Sequence, residues 1–425
     1  MATRAVYIAG GSRTPFVKSM INYADISTQT LMTDTLQSLV SKMKLDDQII
    51  GDVGLGAVMN SSKNWNLARE CVLGTTLSPH TPGYTLQRAC GTSLETTLQL
   101  ALKIANHQID SAIAAGVDTN SDLPVLVSER LTKKLLQLHY AKGVSAKLKI
   151  VASIRPQDFK PIFPAVAEPR TGLSMGEHCE KMVKEWQISR LAQDELSLRS
   201  HQNGVKAYER GFFEDLVFPY QGLERDGLLR SDTTLEKLSK LKPAFDFTGK
   251  GTLTAGNSSP LTDGAAAVLL VSENYAHQHQ YEPWARFVDA EVAAIDFVGG
   301  EGLLMAPTIA VSQLLARNQL TLQDFDFYEI HEAFAGQVLC TLKAWESAEY
   351  CKRVLHVDQP LGNIDISKMN VNGSSIALGH PFAATGARIV ATLAKLLKQS
   401  GKTGRGLISI CTAGGMGVAA ILETV

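Results

Sequence analysis

Two cysteines and two histidines of this sequence stand where a predicted strand ends or a predicted helix begins, beside small residues. They are Cys90 in RACGTS, His331 in YEIHEAFAGQ, His380 in ALGHPFAATGA and Cys411 in LISICTAGGMG. Proteins of the α/β class place binding and catalytic groups at such strand ends. A single cysteine is usually a small apolar core residue. The placement shared by all four residues nevertheless favours a catalytic role for them.

Cys90 has the surroundings of a nucleophilic thiol. It directly precedes a predicted helix, where free backbone N–H groups and the positive end of the helix dipole favour a thiolate. A nucleophilic thiol also requires a base, and a neutral imidazole is matched to that task near pH 7. We assign the base to His380, which lies between Gly379 and Pro381.

Cys411 is interpreted as a general acid and base, because a second nucleophile would be redundant. A second thiol near the first could move a proton on and off carbon. The glycines after it allow backbone N–H groups to approach a developing oxyanion. CTAGGMG lacks the Lys-Ser or Lys-Thr of a phosphate loop, so no nucleotide site is predicted there. HEAFA begins like the zinc motif H-E-x-x-H, but Ala335 replaces the second histidine, so no metal is predicted.

Composition is typical of a compact globular protein and gives no indication of nucleic-acid binding. The 425 residues include 41 Lys and Arg against 42 Asp and Glu, and 45% are hydrophobic. This length allows two or three domains or one large α/β assembly. The six cysteines contain no C-x-x-C pair, which argues against a disulfide framework and a structural zinc site. No signal peptide or long apolar run is present, so we expect a cytoplasmic location.

The chain divides into two α/β segments separated by an insert. AVYIAGG and IDSAIAAGVD predict buried strands, whereas residues 123 to about 251 are charged, contain several prolines and have few strand patterns. Strand patterns return at GTLTAGNSSPLTDGAAAVLLVS. Residues 86–118 and 369–415 each contain a reactive side chain, a helix and a buried strand that ends in glycine, and MNVNG looks strand-like. This weak repeat indicates duplication of one α/β unit.

Six motifs, in this order over essentially the whole chain, resemble the thiolase family: RTPF, RACGTS, TAGNSSPLTDGAAA, HEAFA, GHPFAATGAR and CTAGGMG. HEAFA, CTAGG and the long basic insert together resemble the β subunits of fatty-acid oxidation trifunctional complexes. The resemblance implies an α/β fold of five layers, α-β-α-β-α, made of two duplicated halves. The halves would be residues 1–275 and 281–425, with an inserted loop domain at about 122–252.

The resemblance implies an acyltransferase that cleaves 3-ketoacyl-CoA thiolytically to acetyl-CoA and an acyl-CoA two carbons shorter. Cys90 would become acylated, His380 would activate it, and Cys411 would exchange the proton at the α-carbon. His331 and His380 would bind the thioester oxygen of the acetyl-CoA enolate. The backbone N–H groups of Cys90 and Ala413 would form the second oxyanion hole. Coenzyme A would be a substrate, and no other cofactor is implied.

In the family, contacts to coenzyme A fall on the insert and just after it, which implies Met175, Arg230 and Ser259. Many members have asparagine at the position of Gln87. Glycine is frequent at the positions of Ala383 and Ala413, so Ala413 must have backbone angles that suit a Cβ.

Three other functions stay open. A biosynthetic acetoacetyl-CoA thiolase would use the same residues, although the departures from the family pattern weaken that alternative more than they weaken thiolysis. A ketoacyl synthase would lack the second cysteine. A non-catalytic thiolase-like lipid carrier would have an incomplete site.

The expected partners are a second copy of the chain, as a homodimer or higher oligomer, and surfaces that meet the insert. Residues 130–157 contain seven Lys and Arg and no Asp or Glu, and their apolar residues have near-helical spacing. This segment could contact a membrane surface or a hydratase/dehydrogenase α subunit. Its basic residues could instead be solvated or bind the phosphates of coenzyme A.

Overall fold

A computed structural model describes residues 3–425. The strands in this part of the chain are β1 (Val6–Arg13), β2 (Val17–Lys18), β3 (Asp52–Gly56), β4 (Gly83–Thr85), β5 (Ser111–Asp118), β6 (Thr262–Ser272), β7 (Ala285–Ala294), β8 (Phe327–Ile330), β9 (Arg405–Thr412) and β10 (Met416–Glu423). The helices are α1 (Thr28–Met43), α2 (Leu67–Leu73), α3 (Thr92–Ala105), α4 (Glu129–Tyr140), α5 (Val144–Ala152), α6 (Met175–Glu185), α7 (Arg190–Glu209), α8 (Leu235–Ser239), α9 (Glu273–Gln278), α10 (Ala306–Asn318), α11 (Ala335–Glu346), α12 (Ala348–Tyr350), α13 (Ser375–Leu378) and α14 (Thr385–Ser400).

The strands form one continuous hydrogen-bonded sheet, which has two parts. Their order is β4-β3-β5-β6-β1-β7-β10-β9-β8, with β2 paired to β6 off this path. β3 is parallel to β4 and β5, and β8 is parallel to β9, while the other pairs are antiparallel. Three residue pairs between β1 and β7 join the part built from β1–β6 to the part built from β7–β10. Each part therefore corresponds to one half of the chain.

Helices cover both parts and fill the space between them. α1 and α2 pack on the β1–β6 part, and α10 packs on β7, β9 and β10. α3 and α14 pack against each other, and α14 contacts strands of both parts. Three clusters of buried apolar side chains fill the spaces between these layers. The arrangement confirms the predicted five-layered α/β fold.

The insert lies between β5 and β6. Residues 119–261 contain α4 to α8 and no strand, and the loop domain expected at about 122–252 falls inside this region. The exact domain boundaries stay a prediction. Among residues 3–425, no helix has the length and apolar character needed to cross a membrane.

The strand-like interpretation of MNVNG is wrong. Asn370 has a φ of 49°, which an extended strand does not allow. Its side chain instead accepts a hydrogen bond from the Ile330 N–H and donates one to the Ile330 carbonyl, both at 2.9 Å. The segment is therefore a turn that an asparagine side chain attaches to the end of β8.

The two central helices meet at their N-terminal ends. The backbone N–H of Ala387 in α14 donates to the Ser93 hydroxyl in α3 at 2.7 Å. Gly386 lies so close to α3 that a Cβ on it would come within 2.3 Å of the Leu94 backbone nitrogen. Cys90 lies just before α3, which begins at Thr92. The contact between the two helices therefore positions Cys90 against the second half of the chain.

We predict that Gly386→Ala destabilises the protein by about 1–3 kcal/mol, because a backbone atom cannot move aside as a flexible side chain can. This cost exceeds the roughly 1 kcal/mol that alanine gains over glycine in a helix. Denaturant unfolding would measure it. Gly227→Ala is the control, since its nearest neighbouring atom would be 3.5 Å from the new Cβ. Equal stability of the two variants would contradict the prediction.

Candidate active site

Cys90 sits on a tight turn directly before α3. Ala89 has a left-handed φ of 43°, which is unfavourable for a residue with a Cβ. The Thr92 hydroxyl fixes the turn, since it accepts from the Arg88 N–H at 2.9 Å and donates to the Ala89 carbonyl at 2.7 Å. Cys90 is the one cysteine of the six that is not fully buried. The turn therefore places Cys90 at the N-terminal end of α3, where the residue is only partly accessible to solvent.

His380 contacts the Cys90 sulfur directly. Its Nε2 lies 3.1 Å from Sγ, and its Nδ1 lies 2.6 Å from the Thr385 hydroxyl at the start of α14. The backbone N–H of His380 donates to the Thr262 hydroxyl at 2.9 Å. When Nδ1 donates its proton to Thr385, Nε2 is free to accept a proton from the thiol. This geometry matches the nucleophile and base predicted from the sequence.

Asp118, at the end of β5, holds the loop that follows His380. Its carboxylate accepts backbone hydrogen bonds from Ala383 at 2.7 Å and from Val58 and Met59 at 2.9 Å. Burial raises the pKa of Asp118 to about 6, although these N–H groups act in the opposite direction. The sequence pattern placed this aspartate at the end of a predicted strand and did not identify it as a residue of the site.

His331 follows β8 and lies beside His380. The two imidazole centroids are 4.1 Å apart. Its Nδ1 lies 2.8 Å from the Ser375 hydroxyl, whereas its Nε2 is buried and has no hydrogen-bond partner among the described residues. The Cys90 sulfur and one ring nitrogen of each histidine lie within 4.8 Å of one another. Three of the four predicted residues therefore converge on one small volume.

Cys411 completes the group from β9. It is 1% exposed and pairs with Gly417 of β10 across the strands. Burial raises the pKa of its thiol well above the ordinary range, and the nearby Cys90 raises it further. The residues next to Cys411 approach Cys90, since the Ala413 N–H donates towards the Cys90 sulfur and the Thr412 side chain lies beside Gly91. At neutral pH Cys411 is a proton donor and not a thiolate.

The backbone after Cys411 supplies hydrogen-bond donors. The N–H groups of Ala413 and of Cys90 itself both donate towards the Cys90 sulfur and lower its pKa. Ala413 does not have a positive φ, so its Cβ is tolerated, whereas Gly414 and Gly415 have φ values of 76° and 68°. The Gly414 N–H donates to the Glu168 carboxylate at 2.7 Å. The backbone N–H of Ala413 therefore remains directed at the Cys90 sulfur.

Burial determines the protonation of the Cys90–His380 pair. It raises the pKa of Cys90 to about 12 and lowers the pKa of His380 to about 3, and the nearby Arg388 lowers the latter further. In the free protein the pair is thus a thiol and a neutral imidazole. The effect of the helix start, which we expected to favour a thiolate, is outweighed by the loss of solvation.

The residues predicted to bind coenzyme A lie at different places. Both the N–H and the hydroxyl of Ser259 donate to the Ala333 carbonyl at 2.9 Å, which brings Ser259 next to the His331 segment. Met175 begins α6 and packs partly buried on the core. Arg230 is exposed, and its backbone N–H donates to the His201 ring at 3.3 Å. Within the described chain, neither residue has a hydrogen bond to the four reactive side chains.

Three further residues that the sequence patterns did not predict contact the two histidines or each other: Ser375, Thr385 and Arg388. A usable indication existed for Arg388. It is a charged residue on the apolar face of the helix pattern ARIVATLAKLL, and such a residue requires a buried polar partner.

Comparison with known proteins is consistent with this geometry. The family model "Thiolase, N-terminal domain" matches residues 6–274, and "Thiolase, C-terminal domain" matches residues 281–424. The chain is 40% identical to proteins named 3-ketoacyl-CoA thiolase from Yersinia pestis (strain Pestoides F) and Yersinia pseudotuberculosis serotype O:3 (strain YPIII). Each match covers 98% of this chain and 96% of the relative.

Two solved structures share the whole fold. The crystal structure of the Bacillus anthracis acetyl-CoA acetyltransferase superimposes with a TM-score of 0.82 at 29% identity and covers 100% of both chains. The crystal structure of human mitochondrial 3-ketoacyl-CoA thiolase superimposes with a TM-score of 0.81 at 28% identity and covers 99% of both chains.

We predict that alkylation of Cys90 by iodoacetamide accelerates about tenfold per pH unit from about pH 6 to about pH 9, without levelling off. The reason is that the pKa of Cys90 is raised to about 12, so the thiolate fraction keeps growing over this range. Mass spectrometry of the Cys90 peptide would measure the rate, with Cys90→Ala as the control. A plateau near neutral pH would indicate a thiolate–imidazolium pair and contradict the prediction.

Proposed function

This chain belongs to the thiolase family, and on that basis we propose that it is an acyltransferase that cleaves 3-ketoacyl-CoA with coenzyme A. The products are acetyl-CoA and an acyl-CoA two carbons shorter. The supporting observation is the 3.1 Å contact between Cys90 Sγ and His380 Nε2, with the buried thiol of Cys411 in the same site. Acyl transfer alone needs one thiol. Cleavage of a carbon–carbon bond also needs a proton donor for carbon, which the second thiol provides.

The first half-reaction forms the acyl-enzyme. His380 Nε2 takes the thiol proton as the Cys90 sulfur attacks the 3-keto carbon, and the oxyanion accepts from the N–H groups of Cys90 and Ala413. Its collapse breaks the C2–C3 bond. The electron pair enters an acetyl-CoA enolate, whose thioester oxygen accepts hydrogen bonds from His331 and His380. Cys411 protonates the enolate carbon, and acetyl-CoA leaves.

The second half-reaction releases the shortened chain. Free coenzyme A gives its proton to the Cys411 thiolate and attacks the acyl carbonyl on Cys90. The Cys90 sulfur leaves and takes back the proton held by His380, so both thiols regain their resting state. The thioester acts as electron sink, so none of these steps requires a metal or redox cofactor. The reverse reaction, condensation of acetyl-CoA, uses the same groups.

Self-association through the free edge of the sheet belongs to the same proposal. β4 is the terminal strand of the path, so one side of its backbone is unpaired within the chain. Near this edge, Trp65 is 98% exposed and has a left-handed φ of 52°. The unpaired edge is the stronger argument, because a second copy that paired with β4 would satisfy its free backbone groups. A cytoplasmic location stays a prediction.

For the insert, we propose contact with an anionic membrane surface. Only Leu131 is buried in α4, and no residue of α5 is buried. The exposed large apolar side chains of this region include Leu135, Leu136, Tyr140, Val144, Leu148, Val151, Phe159 and Phe163. Lys134 pairs with Asp158 at 2.6 Å, which holds α4 to the short helical turn Pro156–Phe159. The remaining basic residues flank an apolar surface, a combination suited to anionic headgroups above acyl chains.

Cys90→Ala and Cys411→Ala should separate the roles of the two thiols. Cys90→Ala should abolish the acyl-enzyme and turnover, because no other group holds the acyl chain between half-reactions. Cys411→Ala should still be acylated by a saturated acyl-CoA and exchange that group with coenzyme A, because in this exchange His380 alone can pass the thiol proton between Cys90 and coenzyme A. Its cleavage of 3-ketoacyl-CoA should fall by about 10²–10⁴. An adduct on Cys411 in mass spectrometry, or substantial thiolysis by Cys90→Ala, would contradict this assignment.

Flotation with phosphatidylglycerol vesicles tests the insert. Wild-type protein should float and be released by salt, and Leu148→Glu should lower the bound fraction at least about threefold. Leu191→Glu is the matched control, since Leu191 is 58% exposed on α7 and Leu148 is 63% exposed on α5. Binding to a hydratase/dehydrogenase α subunit without flotation would assign the surface to a protein partner. Absence of both would leave it as a solvated face.

A further inference from the structure

Arg388 is a buried cation whose charge is not neutralised at short range. It lies on α14 and is 1% exposed. The nearest carboxylate, that of Glu329, is 4.0 Å away, and burial raises the pKa of Glu329 to about 8. Neither Glu329 oxygen has a hydrogen-bond partner within residues 3–425. The shortest contact of the guanidinium is with the Ser375 hydroxyl at 2.7 Å, while its contact with Ser374 is 3.4 Å.

Ser375 connects this cation to His331. The same hydroxyl oxygen lies 2.7 Å from Arg388 Nη2 and 2.8 Å from His331 Nδ1. A guanidinium only donates, so Ser375 must accept from Arg388. The hydroxyl proton is then directed at Nδ1, which accepts it. If Nδ1 donated instead, the buried hydroxyl proton would have no acceptor, at a cost of about 1–3 kcal/mol.

The direction of these two hydrogen bonds determines the tautomer of His331. A neutral imidazole has one donor and one acceptor nitrogen, so an accepting Nδ1 requires a proton on Nε2. Burial lowers the pKa of His331 well below its usual value, and the nearby His380 and Arg388 lower it further, so the ring is neutral. Nε2 is buried without a partner in the described chain, and one nitrogen of this ring lies within 4.8 Å of the Cys90 sulfur and of a His380 nitrogen. Nδ1 is occupied by Ser375, which leaves Nε2 as the nitrogen open to a further partner. Its N–H therefore points at the place where substrate must lie.

We propose that Arg388 and Ser375 are positioning residues that hold His331 as its Nε2–H tautomer and thereby make it a hydrogen-bond donor to the enolate oxygen. This inference rests on the proposed function and deepens it. With the other tautomer, the Nε2 lone pair would face the developing negative charge and repel it. Only carbon–carbon cleavage or formation passes through an enolate. The hydrogen-bonded series Arg388–Ser375–His331, called the relay below, therefore acts on that step and not on acyl exchange at Cys90.

Ser375→Ala tests the relay by kinetics. The variant should lower cleavage of 3-ketoacyl-CoA by about 10–100-fold. This loss is smaller than the one expected when an oxyanion donor is removed altogether. Exchange of a saturated acyl group between Cys90 and coenzyme A should stay within about twofold of wild type. Ser375→Thr retains the hydroxyl and should restore cleavage. Ser197→Ala is the matched control, because Ser197 is equally buried but its hydroxyl donates to the Gln193 carbonyl and contacts neither Arg388 nor His331. Equal losses of cleavage and exchange would indicate a structural role and overturn the proposal.

Nitrogen NMR of ring-¹⁵N-histidine protein measures the tautomer directly. The signal of His331 is assigned by its disappearance in His331→Asn. The wild type should show the proton on Nε2, and Ser375→Ala should shift population to Nδ1–H. A wild-type proton on Nδ1, or an unchanged tautomer and cleavage rate in Ser375→Ala, would overturn the inference. Wild-type protein with an Nε2–H tautomer but no thiolysis would support the tautomer assignment and overturn the proposed function.

Discussion

The contact between the N-terminal ends of α3 and α14 is the constraint on which the site depends. Cys90 precedes one helix and His380 precedes the other, so the distance between sulfur and imidazole follows from how closely the helices approach. Gly386 permits that approach, since a Cβ there would collide with the α3 backbone. The Ser93–Ala387 hydrogen bond fixes the register. The duplicated halves are thus complementary, because each contributes one partner of the reactive pair.

A second principle of the site is that its two thiols and two imidazoles are uncharged before the reaction. Burial raises the pKa of both thiols and lowers the pKa of both histidines. Negative charge appears only as the reaction proceeds, first on the keto oxygen and then on the enolate. Donors already in place for those oxygens stabilise the charge without reorganisation. Arg388, the buried cation nearby, lowers the pKa of both histidines and is joined to His331 through the Ser375 hydroxyl.

The insert contributes to the site as well as to the outer surface. Glu168, which belongs to it, accepts the Gly414 N–H and so holds the glycine-rich loop after Cys411 from outside. Ser259, just before β6, reaches the His331 segment through Ala333. The same insert presents α4 and α5 to solvent as an apolar and basic surface. The insert therefore supports the glycine-rich loop after Cys411 and also presents the exposed apolar and basic surface of α4 and α5.

The sequence by itself determined the α/β class and the presence of the insert, and it predicted the candidate reactive residues that the structure brings together. These follow from local properties: reactive side chains beside small residues, the order of short motifs, and a change of pattern after β5. Only the tertiary structure decided the rest. It showed MNVNG to be a turn, because Asn370 binds a distant strand end through its side chain. It paired Cys90 with His380 across 290 positions and joined Arg388 to His331 through Ser375. It also replaced the expected thiolate with a thiol, since solvation depends on everything packed around the sulfur and not on neighbours along the chain.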